Sequence, residues 1–362
     1  MILSGKVILG LFASASLAIP VAAQDLKPVT VTLGTSVLNV GYPMLTLPVT
    51  LGYWAEEGYN VTVEPSGASM QALQQLVAGN AQFAQVNASV AVQSNVENDL
   101  PVQISMVNGV MDWSIAVLDD SEIKSVGDLN GKTFGIFSLA TGGLPLLKSY
   151  LNDNGIDPDV DVAYIATGFG AGPVQALRNG EVDALMYWAS ANAGMENAGL
   201  DLRYIYDASW RQLPDYSLTV MEATVESDPD MVVGIARGIA KATVFALANP
   251  ECAVRLHWQE YPETKPSGSD DAAVLQSDLN NINAQLNTLA LGYELNGGEA
   301  WGEVSTAAVD RLQDFLSTNG IVSGTIDAAS YVVDIPDYTA RVSDFDLKAI
   351  KVAAEACEML EE

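Results

Sequence analysis

Five aromatic side chains and one acid stand where two halves of this chain would face each other. Trp113 follows Asp112 at a change of pattern, Tyr187 and Trp188 end a strand, Tyr42 lies in the first loop, and Trp210 precedes the return. Small polar residues join them at loop ends: Asn39, Ser66, Ser69, Asn87 and Thr141. Flat rings stack on flat or apolar ligands, while hydroxyls and amides read polar edges. This is binding chemistry. Trp54 and Trp301 sit in helical contexts and read as packing.

Catalytic chemistry is poorly represented. His257 is the only histidine; it adjoins Trp258, and no nucleophile elbow accompanies it, so its reading is structural. With 45 Asp and Glu against 16 Lys and Arg, scattered acids read as solvated faces. Gly168, Gly170 and Gly172 suggest a dinucleotide loop, but Pro173 holds the sixth place where that fingerprint needs glycine. No cofactor is expected, and no metal site.

The cleft loops hold almost no Arg or Lys, which disfavours a doubly charged anion. Hydroxyls, amides and helix N-termini would suit a neutral solute or a singly charged anion. An aromatic wall with one carboxylate suits an amine or a nitrogen heterocycle. The second reading is preferred because Asp112, the only well-placed acid, adjoins Trp113.

Strands and helices must alternate to present these loop ends. The patterns over 29–35, 59–63 and 81–86 read as strands, with a helix over 70–78 stopped by Gly79. Asp128, Leu129, Asn130, Gly131 and Lys132 feed a strand over 133–137 and a small-residue turn that opens a helix near Leu144. Such a terminus leaves backbone N–H groups free for a ligand. The grammar returns over 162–187, where Leu177-Arg178-Asn179-Gly180 matches Leu76-Val77-Ala78-Gly79. Two lobes built alike follow, of α/β class with a largely parallel sheet. From Ser227 the pattern turns helical, and these helices are expected to buttress the first lobe. The expected division is 24–116 and 219–362 for lobe one and 117–218 for lobe two, with hinges at 113–118 and 216–221.

Residues 1–23 carry Lys6, a short apolar run and small residues at Val21, Ala22 and Ala23, the pattern of a cleaved export signal. The chain is 362 residues long with net charge -29, which fits two lobes and argues against nucleic acid or anionic lipid as partner. Export permits a bridge between Cys252 and Cys357; two separate buried thiols are the other reading.

Several segments in order carry a family likeness: Gly52-Tyr53-Trp54-Ala55-Glu56-Glu57-Gly58-Tyr59-Asn60-Val61, then Ala78-Gly79-Asn80, Asp128 to Lys132, Asn179-Gly180-Glu181-Val182-Asp183-Ala184, and Asp344-Phe345-Asp346. With these the chain resembles the periplasmic substrate-binding proteins of ABC importers, in the branch serving sulfonates, taurine, nitrate and the thiamine pyrimidine precursor. The resemblance implies a two-lobed, type II fold with two hinge crossings and C-terminal helices. It implies a periplasmic monomer that delivers a small molecule to a membrane permease. By position it implies ligand contacts from Asn39, Tyr42, Ser66, Gly67, Ala68 and Asn87, from Asp112 and Trp113 at the crossing, and from Thr141, Gly142 and Trp188. Relatives that synthesise the thiamine pyrimidine carry clustered cysteines and a reactive histidine, absent here, so the expectation is no enzyme. An exported enzyme and a sensor docked on a membrane kinase are the competing readings.

Overall fold

The computed structural model describes residues 26–268 and 270–359, and the expected export signal lies outside the described residues. The first lobe begins with β1 (Lys27–Leu33), α1 (Pro43–Thr50), α2 (Tyr53–Glu56), β2 (Tyr59–Pro65), α3 (Ser69–Val77), β3 (Phe83–Asn87), α4 (Ala88–Asn98) and β4 (Val102–Val107). The second contains β5 (Ser114–Leu118), β6 (Thr133–Ile136), α5 (Gly143–Asp153), β7 (Ala163–Ala166), α6 (Ala171–Arg178), β8 (Ala184–Tyr187), α7 (Ala189–Asn197) and β9 (Leu202–Ile205). The chain returns through β10 (Tyr216–Met221) to α8 (Glu222–Ser227), α9 (Pro229–Ala248), α10 (Pro250–Glu260), α11 (Asp271–Leu295), α12 (Thr306–Thr318), α13 (Tyr338–Val342) and α14 (Leu347–Ala356).

The two sheets share one plan. Their strand orders are β2-β1-β3-β10-β4 and β7-β6-β8-β5-β9. In each, one strand reached by a crossing runs antiparallel beside an otherwise parallel set. The local chemistry repeats as well. Gly79 and Gly180 take positive φ after α3 and α6, where a side chain would be strained. Gln82 Oε1 then accepts from Thr30 N at 2.8 Å, and Asp183 Oδ2 accepts from Thr133 N at 2.8 Å. The same stop and clasp therefore set the register of β3 and β8, whose C-terminal ends reach the cleft at Asn87 and Trp188.

The chain changes sheets over 108–113 and again over 206–215. The segments expected as hinges are instead largely β5, in the second sheet, and β10, in the first, because β5 is an almost continuous apolar run and β10 alternates, and both pair as strands. The boundaries expected at 116/117 and 218/219 fall inside those strands.

The C-terminal helices are launched by caps that the sequence displays. Asp228 accepts from Met231 N at 3.1 Å ahead of Pro229, and Asn249 accepts from Cys252 N at 3.0 Å ahead of Pro250. Among the described residues α9 alone is long and apolar enough to cross a bilayer, but 78% of that stretch is buried inside the fold. It is the central helix of the first lobe, with the Trp54 indole donating to Ile235 O at 3.0 Å. Cys252 and Cys357 are bridged, which ties α14 to α10. One helix departs from the expectation that all buttress lobe one. α11 also lies along α7 of lobe two, where Asn197 donates to Ser277 O at 2.7 Å and accepts from Asn280 at 2.8 Å.

Candidate ligand-binding site

A small, tightly closed cavity lies between the lobes. Gly34 and Thr35 enter it after β1, Tyr42 just before α1, and Asn87 from the end of β3. Val110, Asp112 and Trp113 come from the first crossing, and Asp215 and Tyr216 from the second. Lobe two adds Phe137, Thr141 and Trp188, and α11 adds Gln285 and Thr288. Every wall is thus built at an element's end or a crossing, except the one supplied by α11.

The aromatic part is a stacked cluster. Trp188 meets Trp113 edge-on at 5.4 Å and Phe137 edge-on at 5.6 Å, while Phe169 stacks behind it at 6.0 Å and 14°. Tyr42 and Tyr216 face each other at 6.1 Å on the opposite lobe. The lobes are closed on one another. A Cβ at Gly142 would fall 2.5 Å from Asn87 Oδ1, and one at Gly143 would fall 2.1 Å from Trp113, so only glycine lets the start of α5 approach lobe one this closely.

Asp215 holds the polar floor together. It is 3% exposed, and its two oxygens accept from Asn87 Nδ2 at 2.8 Å and from Trp113 Nε1 at 3.0 Å. Asn87 Oδ1 in turn accepts from Ser69 Oγ at 2.7 Å. Asp112 reaches across to lobe two and accepts from Ala189 N, the first residue of α7, at 3.3 Å. Arg211 lies nearby, donating to the carbonyl of Met111 and to that of Trp113 at 3.4 Å, with its guanidinium 4.6 Å from the Tyr206 ring. It does not line the cavity, and no Lys or Arg does.

Burial dominates both carboxyls. It pushes Asp112 up to about 6, against the charge of Arg211. It pushes Asp215 up to about 7, against the Asn87 hydrogen bond and with the help of the Asp112 charge. A folded-state pKa above the unfolded 3.8 means that the native protein holds protons the unfolded chain releases. That stabilisation is complete below the unfolded value and is lost as pH rises through about 6 and about 7. Through these two groups ligand-free protein resists denaturant better at about pH 5 than at about pH 8, a gain partly offset by buried His257, whose lowered pKa costs stability as pH falls below its unfolded 6.5. Asp215→Asn should flatten this dependence. An equally steep dependence in that variant would place the titration elsewhere.

Of the residues singled out in the sequence, Tyr42, Asn87, Asp112, Trp113, Thr141 and Trp188 line this cavity, and Gly142 packs on Asn87. Asn39 does not line it. Its side chain accepts from Gly41 N at 2.9 Å, and it faces a neighbouring groove with Gly41, Phe169 and Arg178. Ser66, Gly67 and Ala68 stand behind the wall: the Ser66 hydroxyl pairs with Thr32, Gly67 N donates to Thr35 O at 2.9 Å, and Ala68 is packed among lobe-two apolar residues. Trp210 is core, edge-on to Tyr150 at 5.3 Å. His257 is buried and pairs through Nε2 with Thr264 at 2.9 Å; burial pushes its pKa down to about 4.

Sequence reasoning missed Asp215, so Asp112 is not the only well-placed acid. The signal was Pro214-Asp215-Tyr216 directly before β10, at the crossing itself. It also missed Gln285 and Thr288, which nothing in a polar helix distinguishes from a solvated face.

Two lobes of one strand order, joined by two crossings and closed over an aromatic cavity, make this a periplasmic-binding-protein fold. The chain belongs to the NMT1/THI5-like family, whose pattern matches residues 45–253, more than half of it. It is similar to the riboflavin-binding protein RibY of Chloroflexus aurantiacus, at 24% identity over 318 residues, 85% of each chain. Its fold is similar to that of the periplasmic aliphatic sulphonate binding protein SsuA from Escherichia coli, with a TM-score of 0.61 at 14% identity over 85% of this chain and 92% of that one. The desulfurization enzyme DSZB shares it too, with a TM-score of 0.53 at 15% identity over 87% and 98% of the two chains. These structural neighbours are mostly binding proteins, and one is an enzyme.

Proposed function

We propose that this protein is an extracytoplasmic receptor, working as a monomer, that closes on one small organic solute and delivers it unchanged to an ABC importer permease. The solute is an amine-bearing molecule or a nitrogen heterocycle, of the kind represented by the thiamine pyrimidine precursor. One observation carries the choice: two carboxyls, the half-buried Asp112 and the buried Asp215, share an aromatic cavity that no Lys or Arg lines. An anion there would meet like charge or require the carboxyls to take up protons, whereas a protonated amine or a ring N–H donates to Asp112 and stacks on Trp188. The riboflavin-binding name of the curated relative agrees with a flat nitrogen heterocycle. Taurine or an alkanesulfonate is the second reading, favoured by α4, α5 and α7, which all begin at this cavity.

Denaturation of the purified protein with riboflavin, the thiamine pyrimidine precursor and taurine tests this directly. A true ligand at about a hundred times its dissociation constant adds about 2.7 kcal/mol of stability. Mass spectrometry should then recover that ligand unaltered. A converted product would replace the receptor with an enzyme.

A further inference from the structure

Several polar side chains of the cavity are already engaged with the protein. Asn87, Trp113 and Asp215 satisfy one another, and Thr288 Oγ1 accepts from Val110 N at 3.2 Å and donates to Val110 O at 3.1 Å. Two are different. Thr35 is 2% exposed, and its hydroxyl has no hydrogen-bond partner; Tyr42 lies beside it without forming a bond of normal geometry. Gln285 is 3% exposed and makes no hydrogen bond among the described residues. For the sealed Thr35 hydroxyl that is a standing penalty, of which natural folds keep few; the Gln285 amide is not sealed from the cavity and is free to meet a ligand there.

Gln285 is also rigidly aimed. It stands three residues before Thr288 on one face of α11, and Thr288 fastens that face to the first crossing. One turn further on, α11 approaches the crossing so closely that a Cβ at Gly292 would fall 2.9 Å from Gly109 N. The helix cannot slide to relieve its amide.

We propose that Gln285 and Thr35 are the specificity-determining groups of this cavity, and that they read a ligand edge carrying a hydrogen-bond donor beside an acceptor. The carboxamide offers one N–H pair and one carbonyl side by side, which complements a ring nitrogen next to an amino group or a ring N–H next to a carbonyl. The threonine hydroxyl, which lines the same cavity, adds a donor or acceptor. An aliphatic amine satisfies neither group fully, so the inference narrows the ligand to the heterocycle half of the reading on which it rests.

The test uses the full chain with Thr35→Val and Gln285→Met, near-isosteric replacements that remove the polar groups. Without ligand, both variants should melt at about the parental temperature or above it, because neither polar group bonds to the rest of the fold and the Thr35 hydroxyl is buried without a partner. Affinity for the thiamine pyrimidine precursor or riboflavin, whichever the parent binds, should fall by about tenfold or more in each variant. A lowered melting temperature in both ligand-free variants would mean that the groups serve the fold, and would overturn the inference whatever the ligand is. Unchanged heterocycle affinity in both would overturn it while leaving the receptor reading intact. A parent that binds taurine and neither heterocycle would overturn the ligand class and this inference together, with reversible solute binding still standing.

Discussion

Replacing both Cys252 and Cys357 with alanine should lower the unfolding free energy by about 5 kcal/mol, the chain-entropy value for a closed loop of this length. The bridge spans 105 residues and holds α14 against α10, where Asn249 also donates to Ala354 O at 2.8 Å. Neither cysteine lines the cavity. Ligand affinity should therefore stay at the parental level while the denaturant midpoint falls. Equilibrium unfolding in urea measures this, and a loss below about 1 kcal/mol would mean that residual structure in the unfolded chain already limits the freedom the bridge removes. The bridge also fits an oxidising compartment, which supports export.

Trp113→Ala should damage stability and binding together. The indole is 3% exposed, belongs to a core cluster drawn from both lobes, and donates to Asp215. Its removal leaves a cavity and an unpartnered carboxyl oxygen, a loss of about 3–5 kcal/mol in stability. Trp188 is less deeply set, between Trp113, Phe137 and Phe169, so Trp188→Ala should spare more of the fold. It should still cost about 2 kcal/mol or more in binding, as aromatic anchors do. Paired denaturation and binding titrations separate the two effects. Equal stability losses in both variants would show that Trp188 is as structural as Trp113.

The alternation of strands and helices was legible because it rests on local signals. Gly79 and Gly180 stop helices, Asp228 and Asn249 start them, and each acts within a few residues. The aromatic wall was legible because Tyr42, Trp113 and Trp188 sit at element ends, where an α/β lobe presents its cleft. Asp215 was not legible. Its partners Asn87 and Trp113 lie 128 and 102 residues away, and reading the return crossing as 216–221 left it on the wrong side of the hinge. Ser66 was placed in the right turn, but its hydroxyl turns back to Thr32 instead of forward into the cleft. Gln285 could not be found at all, since its role depends on α11 lying across both lobes, a long-range packing choice.

The most direct measurement of the central claim is calorimetric titration at about pH 8, where both carboxyls should be ionised, of parent and Asp112→Asn with the thiamine pyrimidine precursor, riboflavin and taurine. A receptor for a nitrogen-bearing ligand should bind one of the first two far more tightly than taurine, and Asp112→Asn should weaken that binding by about tenfold or more. Tighter binding of taurine by the parent, with Asp112→Asn leaving it unchanged or improved, would contradict the account and make the helix N-termini the recognition element.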